Sequence, residues 1–153
     1  MSHPFADNPV SLSEAGQAAL QAWVDAARAR LALSDWEITV VREQSEGTAL
    51  ASSFVRHEAD VSHIALSAEI AEWSPDELRQ TLTHELLHCH FERVTALANR
   101  LVEHELGRRT EAVITSAVSL IEEQTIDRLA TAIARFLPLP EMPAGLTEPK
   151  EKA

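Results

Sequence analysis

The sequence predicts an α+β fold: a small, mostly antiparallel three-stranded sheet packed on a central helix, with a backing C-terminal helix and one further helix at the N-terminus. Two observations carry this prediction. Helical periodicity occupies residues 11–31 and again 74–137, whereas the stretch between them holds three short runs of strand character. No helical pattern separates those runs, so they are expected to pair as neighbours, largely antiparallel.

Ser11 with Glu14 forms a capping-box pattern that opens the first helix, which runs to about Leu31 with Leu20, Trp23, Val24 and Ala27 at helical spacing. Leu33-Ser34-Asp35 breaks it. Trp36 to Val41 alternates and is β-branched, Thr48 to Val55 is a second candidate strand, and Val61 to Ser67 a third. The polar segment Arg56 to Asp60 suits a hairpin connection between the last two. Ser74-Pro75-Asp76-Glu77 then starts a long helix, with Ser at the N-cap, Pro at the first helical position and Glu three residues after the cap. Its apolar residues fall on two sides, Leu78, Leu82, Leu86 and Cys89 on one and Leu87, Phe91 and Val94 on the other, which marks a central helix. A second long helix covers about Arg109 to Leu137 through Val113, Ala117, Leu120, Ile121, Leu129, Ile133 and Phe136. Pro138-Leu139-Pro140 stops it.

At 153 residues the chain suits one domain. The organisation expected is a flexible N-terminus over 1–10, a single domain over 11–140 and a disordered Pro-, Glu- and Lys-rich tail over 141–153. A formal net charge of -11 argues against nucleic-acid partners and anionic membranes. The single cysteine, Cys89, excludes an intrachain disulfide and a Cys-based zinc ribbon, and reads as a small buried apolar residue. Residues 1–7 have no basic and apolar leader pattern, and no run of eighteen apolar residues occurs, so the expected location is the cytoplasm. Trp23, Trp36 and Trp73 read as core or helix-anchoring residues.

The densest chemistry lies at His84-Glu85-Leu86-Leu87-His88. Histidines at i and i+4 share one helical face, so both imidazoles can reach one metal ion. Glu85 points to a neighbouring sector, where a carboxylate serves as a general base without being a ligand. A zinc site needs a third protein ligand, and the downstream candidates are His90, Glu92, His104, Glu122 and Glu123. His90 follows His88 by two residues, roughly 200° around the helix, and so points away. If the two long helices form an antiparallel hairpin turning near Gly107, Glu123 returns opposite His88 with an axial mismatch of about 4–5 Å. Asp127, one turn further, would lie near His84 and could accept its free ring N–H. Glu122, whose i±4 neighbours are the apolar Val118 and Ile126, and His104 remain alternatives for the third ligand.

His84-Glu85-Leu86-Leu87-His88 is the HExxH signature of zinc metallopeptidases, and Glu123-Gln124-Thr125-Ile126-Asp127 resembles the ExxxD element of the gluzincins, the thermolysin-like clan. The layout, with Ile64-Ala65-Leu66-Ser67 before the motif helix and Phe136-Leu137-Pro138 closing the last one, also resembles small phage and prophage metallopeptidase-like proteins of minimal zincin type. The likeness covers roughly residues 34–140. It implies a zincin-like fold and a hydrolase that cuts peptide or protein substrates. Zn2+ would be held by His84, His88 and Glu123, with Asp127 supporting His84 and Glu85 as the catalytic residue that activates the water on the zinc. By the same likeness the sheet edge, expected at Val61 to Ser67, would pair with an extended substrate. The chain contains no Tyr, so an oxyanion donor would have to be His57, His63, His104 or an Arg. Two other readings stand beside the protease: a zinc-binding zincin-fold module with a binding or assembly role, and a SprT-like protease taking a later His as its third ligand. No motif encodes the cleavage preference or the oligomeric state.

Overall fold

The computed structural model describes residues 10–44, 49–106 and 108–149. In chain order they form β1 (Val10–Leu12), α1 (Glu14–Arg30), β2 (Glu37–Gln44), β3 (Ala51–Arg56), β4 (Val61–Leu66), a short 3-10 helix (Ala68–Glu72), α2 (Pro75–Leu106), α3 (Arg108–Ala134) and β5 (Thr147–Pro149). The class is α+β. No helix among the described residues is long and apolar enough to cross a membrane.

The three expected strands are present, but their order corrects the antiparallel reading. The sheet runs β2-β4-β3, with β3 antiparallel and β2 parallel to β4. Alternation shows which residues face inward but not which strand sits in the middle. Here α1 decides it. Gln21 donates from Nε2 to the Ile38 carbonyl and accepts the Val40 N–H on Oε1, both at 2.8 Å, and Gln17 donates to the Val40 carbonyl. These side chains close the outer edge of β2, so β4 lies in the centre and β3 forms the other edge. The edge expected at Val61 to Ser67 is therefore the sheet centre.

Ile38, Val40, Ile64 and Leu66 alternate onto the inner face of the sheet. Leu20, Val24 and Ala27 of α1 pack there, together with Leu78, Leu82, Leu86 and Cys89 of α2. On its opposite side α2 uses Leu87 and Phe91 against Leu129, Ala130, Ile126 and Ile133 of α3. The motif helix is thus enclosed between sheet and backing helix, as its two apolar sides predict. Its start matches the sequence too: the Ser74 hydroxyl accepts the Glu77 N–H, and Glu77 Oε2 accepts the Ser74 N–H at 2.7 Å. The helices run antiparallel, with Gln80 bonded to Thr131 and Thr95 to Glu122. The turn expected at Gly107 lies outside the described residues. Arg93 still reaches Asp60 and the Trp36 ring, but beyond it no described residue of α2, nor of α3 before Ile126, is buried. Val94, Val113, Leu120 and Ile121, expected as packing positions, are accordingly exposed.

Both ends of the domain depart from the sequence reading. Ser13, not Ser11, caps α1, accepting the Gly16 N–H at 3.0 Å, because Ser11 is drawn into β1 opposite Glu148 of β5. The tail expected to be disordered from 141 is ordered through 149, where Leu146 is buried and Thr147–Pro149 pairs with Val10–Leu12. Residues 150–153 and 1–9 lie outside the described residues. Gly16 is the point of closest approach, since a Cβ there would lie 2.3 Å from the Leu146 carbonyl oxygen. That neighbour is backbone and cannot rotate away. Gly16→Ala is therefore expected to lose roughly 1–3 kcal/mol through overpacking, outweighing a helix-propensity gain of at most about 1 kcal/mol. Urea unfolding measures the loss, and faster proteolysis after residue 140 locates it.

Candidate metal centre

His84, Glu85 and His88 project from the first half of α2, where packing on both sides fixes the helix. The two imidazoles turn Nε2 toward each other at 3.1 Å. Glu123 of α3 completes a triangle, with Oε2 3.3 Å from His84 Nε2 and Oε1 3.4 Å from His88 Nε2. Donors about 2.0–2.1 Å from a tetrahedral ion lie roughly 3.3–3.4 Å from one another. Each Nε2 stands near that spacing from a different oxygen of Glu123, and with one donor atom from each residue all within 4.8 Å of one another this group of two His and one Glu could hold a metal ion.

The outward ring nitrogens have carboxylate partners. Asp127 Oδ1 lies 2.9 Å from His84 Nδ1, where it accepts the ring N–H and leaves the Nε2 lone pair for an ion. Glu122, adjacent to Glu123, does not join the donors. It is nearly buried, accepts the Thr95 hydroxyl at 2.7 Å and stands 3.7 Å from His88 Nδ1. The adjacent carboxylates thus divide by helix geometry, Glu123 toward both Nε2 atoms and Glu122 behind His88.

Glu85 is 5% exposed and lies outside the donor triangle. Burial pushes its carboxyl above the usual carboxylate range, opposed by a hydrogen bond with Ser53 and by the positive fields of the neighbouring histidines. Two cavities adjoin it. One, of about 530 Å³, runs toward the start of α2 along Leu50, Ala51, Trp73 and Ala130. The other, of about 370 Å³, passes Ser52, Ser53 and Val55 of β3 and reaches Glu92. Edge strand β3 thus borders both sides of the cluster. Cys89 has no part in it: it packs in the core on the sheet side of α2, where burial pushes its thiol up to about 11.

The remaining sequence candidates fall elsewhere. His90 turns to the Leu31 carbonyl, and His104 is 87% exposed beside Glu105 far along α2. His63 is on the outer face of the sheet. His57 lies between Glu58 and Glu92, so of these it is the one held nearest the cavities. Sequence reasoning missed Ser53, Thr95 and the cavity wall of Leu50 and Trp73. The signal for Thr95 was available: it lies one turn beyond Phe91 on the α3-facing side. Nothing local marks Ser53, whose contact depends on the sheet order.

The chain matches no protein-family model, no curated protein sequence and no solved structure. Its function has to be argued from the centre itself.

Proposed function

We propose that this chain is a zinc-dependent metallopeptidase, gluzincin-like in its ligand set and zincin-like in fold. The observation that carries the proposal is the convergence of two Nε2 atoms and one carboxylate at 3.1–3.4 Å beside a buried carboxylate outside the set. Borderline-soft nitrogen donors with one carboxylate suit zinc, and three protein ligands leave a position open. Zinc bound there would supply Lewis acidity and a water acidified toward neutral pH.

The chain's own residues supply the rest. Glu85 takes the proton of the attacking water and returns it to the leaving amine. The Ser53 hydroxyl orients that carboxylate, Asp127 holds the His84 imidazole in register from behind, and Glu122 sets a negative charge behind His88. Among the described residues no strand pairs with the second edge of β3. An extended substrate can add to it as a further strand, replacing in this role the strand Val61–Leu66.

The test is metal dependence on an unstructured substrate. Wild-type protein is expected to cut denatured casein or a mixed peptide library, to stop after treatment with 1,10-phenanthroline, and to recover with added zinc. A protein that holds one zinc per chain and cuts nothing would replace this reading with that of a zinc-binding module.

A further inference from the structure

The larger cavity beside the cluster has walls of two kinds. Leu50, Trp73 and Ala130 give it apolar surface, whereas Glu77, Glu85 and Asp127 give it carboxylates, and no Lys or Arg among the described residues lines either cavity. Asp127 is engaged with His84. Glu85 borders both cavities but is committed to the reacting water in the peptidase reading, and Glu123 belongs to the ion site. The charge left for a substrate side chain is therefore that of Glu77, whose Oε2 takes both hydrogen bonds from Ser74 and leaves Oε1 for a cation, the cap holding the carboxyl below the usual range and so ionised.

Position narrows the choice of side chain. Glu77, Thr81 and His84 follow one another at i, i+4 and i+7 on one face of α2, so Glu77 stands about 10 Å along the axis from the first histidine. A long side chain from a residue next to the scissile bond reaches further toward Glu77 than a leucine does. An acidic side chain would meet like charge. Lys and Arg satisfy both kinds of wall, with an aliphatic stem against Leu50 and the Trp73 ring and a cation at the carboxylate.

We propose that this cavity is a specificity pocket for a basic residue, Lys or Arg, adjacent to the peptide bond that is cut. The inference rests on the peptidase reading above and adds the substrate class to it.

Peptides that differ only at the residues flanking the scissile bond test it, with Arg, Lys, Leu and Glu compared. Arg and Lys are expected to give kcat/KM about fivefold above Leu at low salt, the scale of one exposed ion pair, with Glu lowest and the advantage shrinking in 0.5 M salt, a strongly screening concentration of roughly molar order. Glu77→Gln keeps an acceptor for the Ser74 N–H and should bring the Arg-to-Leu ratio near one. Leu equal to or above Arg in wild type, or an unchanged ratio in Glu77→Gln, overturns the pocket. Binding of the labelled peptides to zinc-loaded Glu85→Gln, followed by anisotropy, separates the two readings. If wild type cuts none of them, the peptidase reading fails while the pocket is still judged. Tighter binding of Arg peptides, lost when Glu77→Gln is added, supports it; equal binding of Arg and Leu peptides overturns it.

Discussion

His84→Ala, His88→Ala and Glu123→Ala are each expected to reduce bound zinc from about one ion per chain to nearly none after dialysis against a competing chelator, a ligand-count effect. Glu122→Gln and Asp127→Asn should retain it with affinity lowered by about 10–100-fold, the scale of losing a partner that orients a ligand. Metal analysis of the dialysed proteins measures the first effect and chelator competition the second. The contrast between adjacent residues is the informative part. Glu123 oxygens lie 3.3 and 3.4 Å from the two Nε2 atoms, whereas Glu122 stands 3.7 Å from the Nδ1 atom of His88 and is tied to Thr95. A direct donor cannot be replaced by water without losing charge and chelation together. A carboxylate behind the ring shifts only its tautomer and orientation. Retained zinc in Glu123→Ala with loss in Glu122→Gln would reverse the roles of the pair.

The pairing across the two helices was legible in the sequence because helices make position predictable, although it left Glu122 and His104 open beside Glu123. The rise per residue and an antiparallel return place Glu123 opposite His88 and Asp127 opposite His84, and the contacts found are those. The Ser74 cap was legible for the same reason, since all its partners lie within three residues. What was hidden depends on distant parts of the chain. Leu146 buries beside Gly16, 130 positions away, and nothing in a Pro- and Glu-rich tail announces a strand. Ser11 looked like a cap until β5 claimed its backbone. The central place of β4 follows from Gln17 and Gln21 sealing β2, which periodicity cannot express. The same order makes β3 the bordering edge and brings Ser53 to Glu85. The helical half of the site could be read, and the half formed by the sheet could not.

Glu85→Gln is expected to lower peptide hydrolysis by about 10²–10⁴-fold while leaving zinc content unchanged, the range for removing a general base. The amide has nearly the same shape as the carboxylate, so packing in the buried position survives and the Ser53 hydroxyl still finds a partner. What it lacks is the capacity to accept a proton from water and release it to the leaving amine. Because Glu85 stands outside the triangle of His84, His88 and Glu123, its replacement removes no donor. Turnover and metal content must be measured on the same preparation, since the two together discriminate. Full zinc with wild-type turnover would remove Glu85 from the mechanism. Loss of zinc would place Glu85 among the ligands, and the open position argued for the substrate would then be taken by the protein itself.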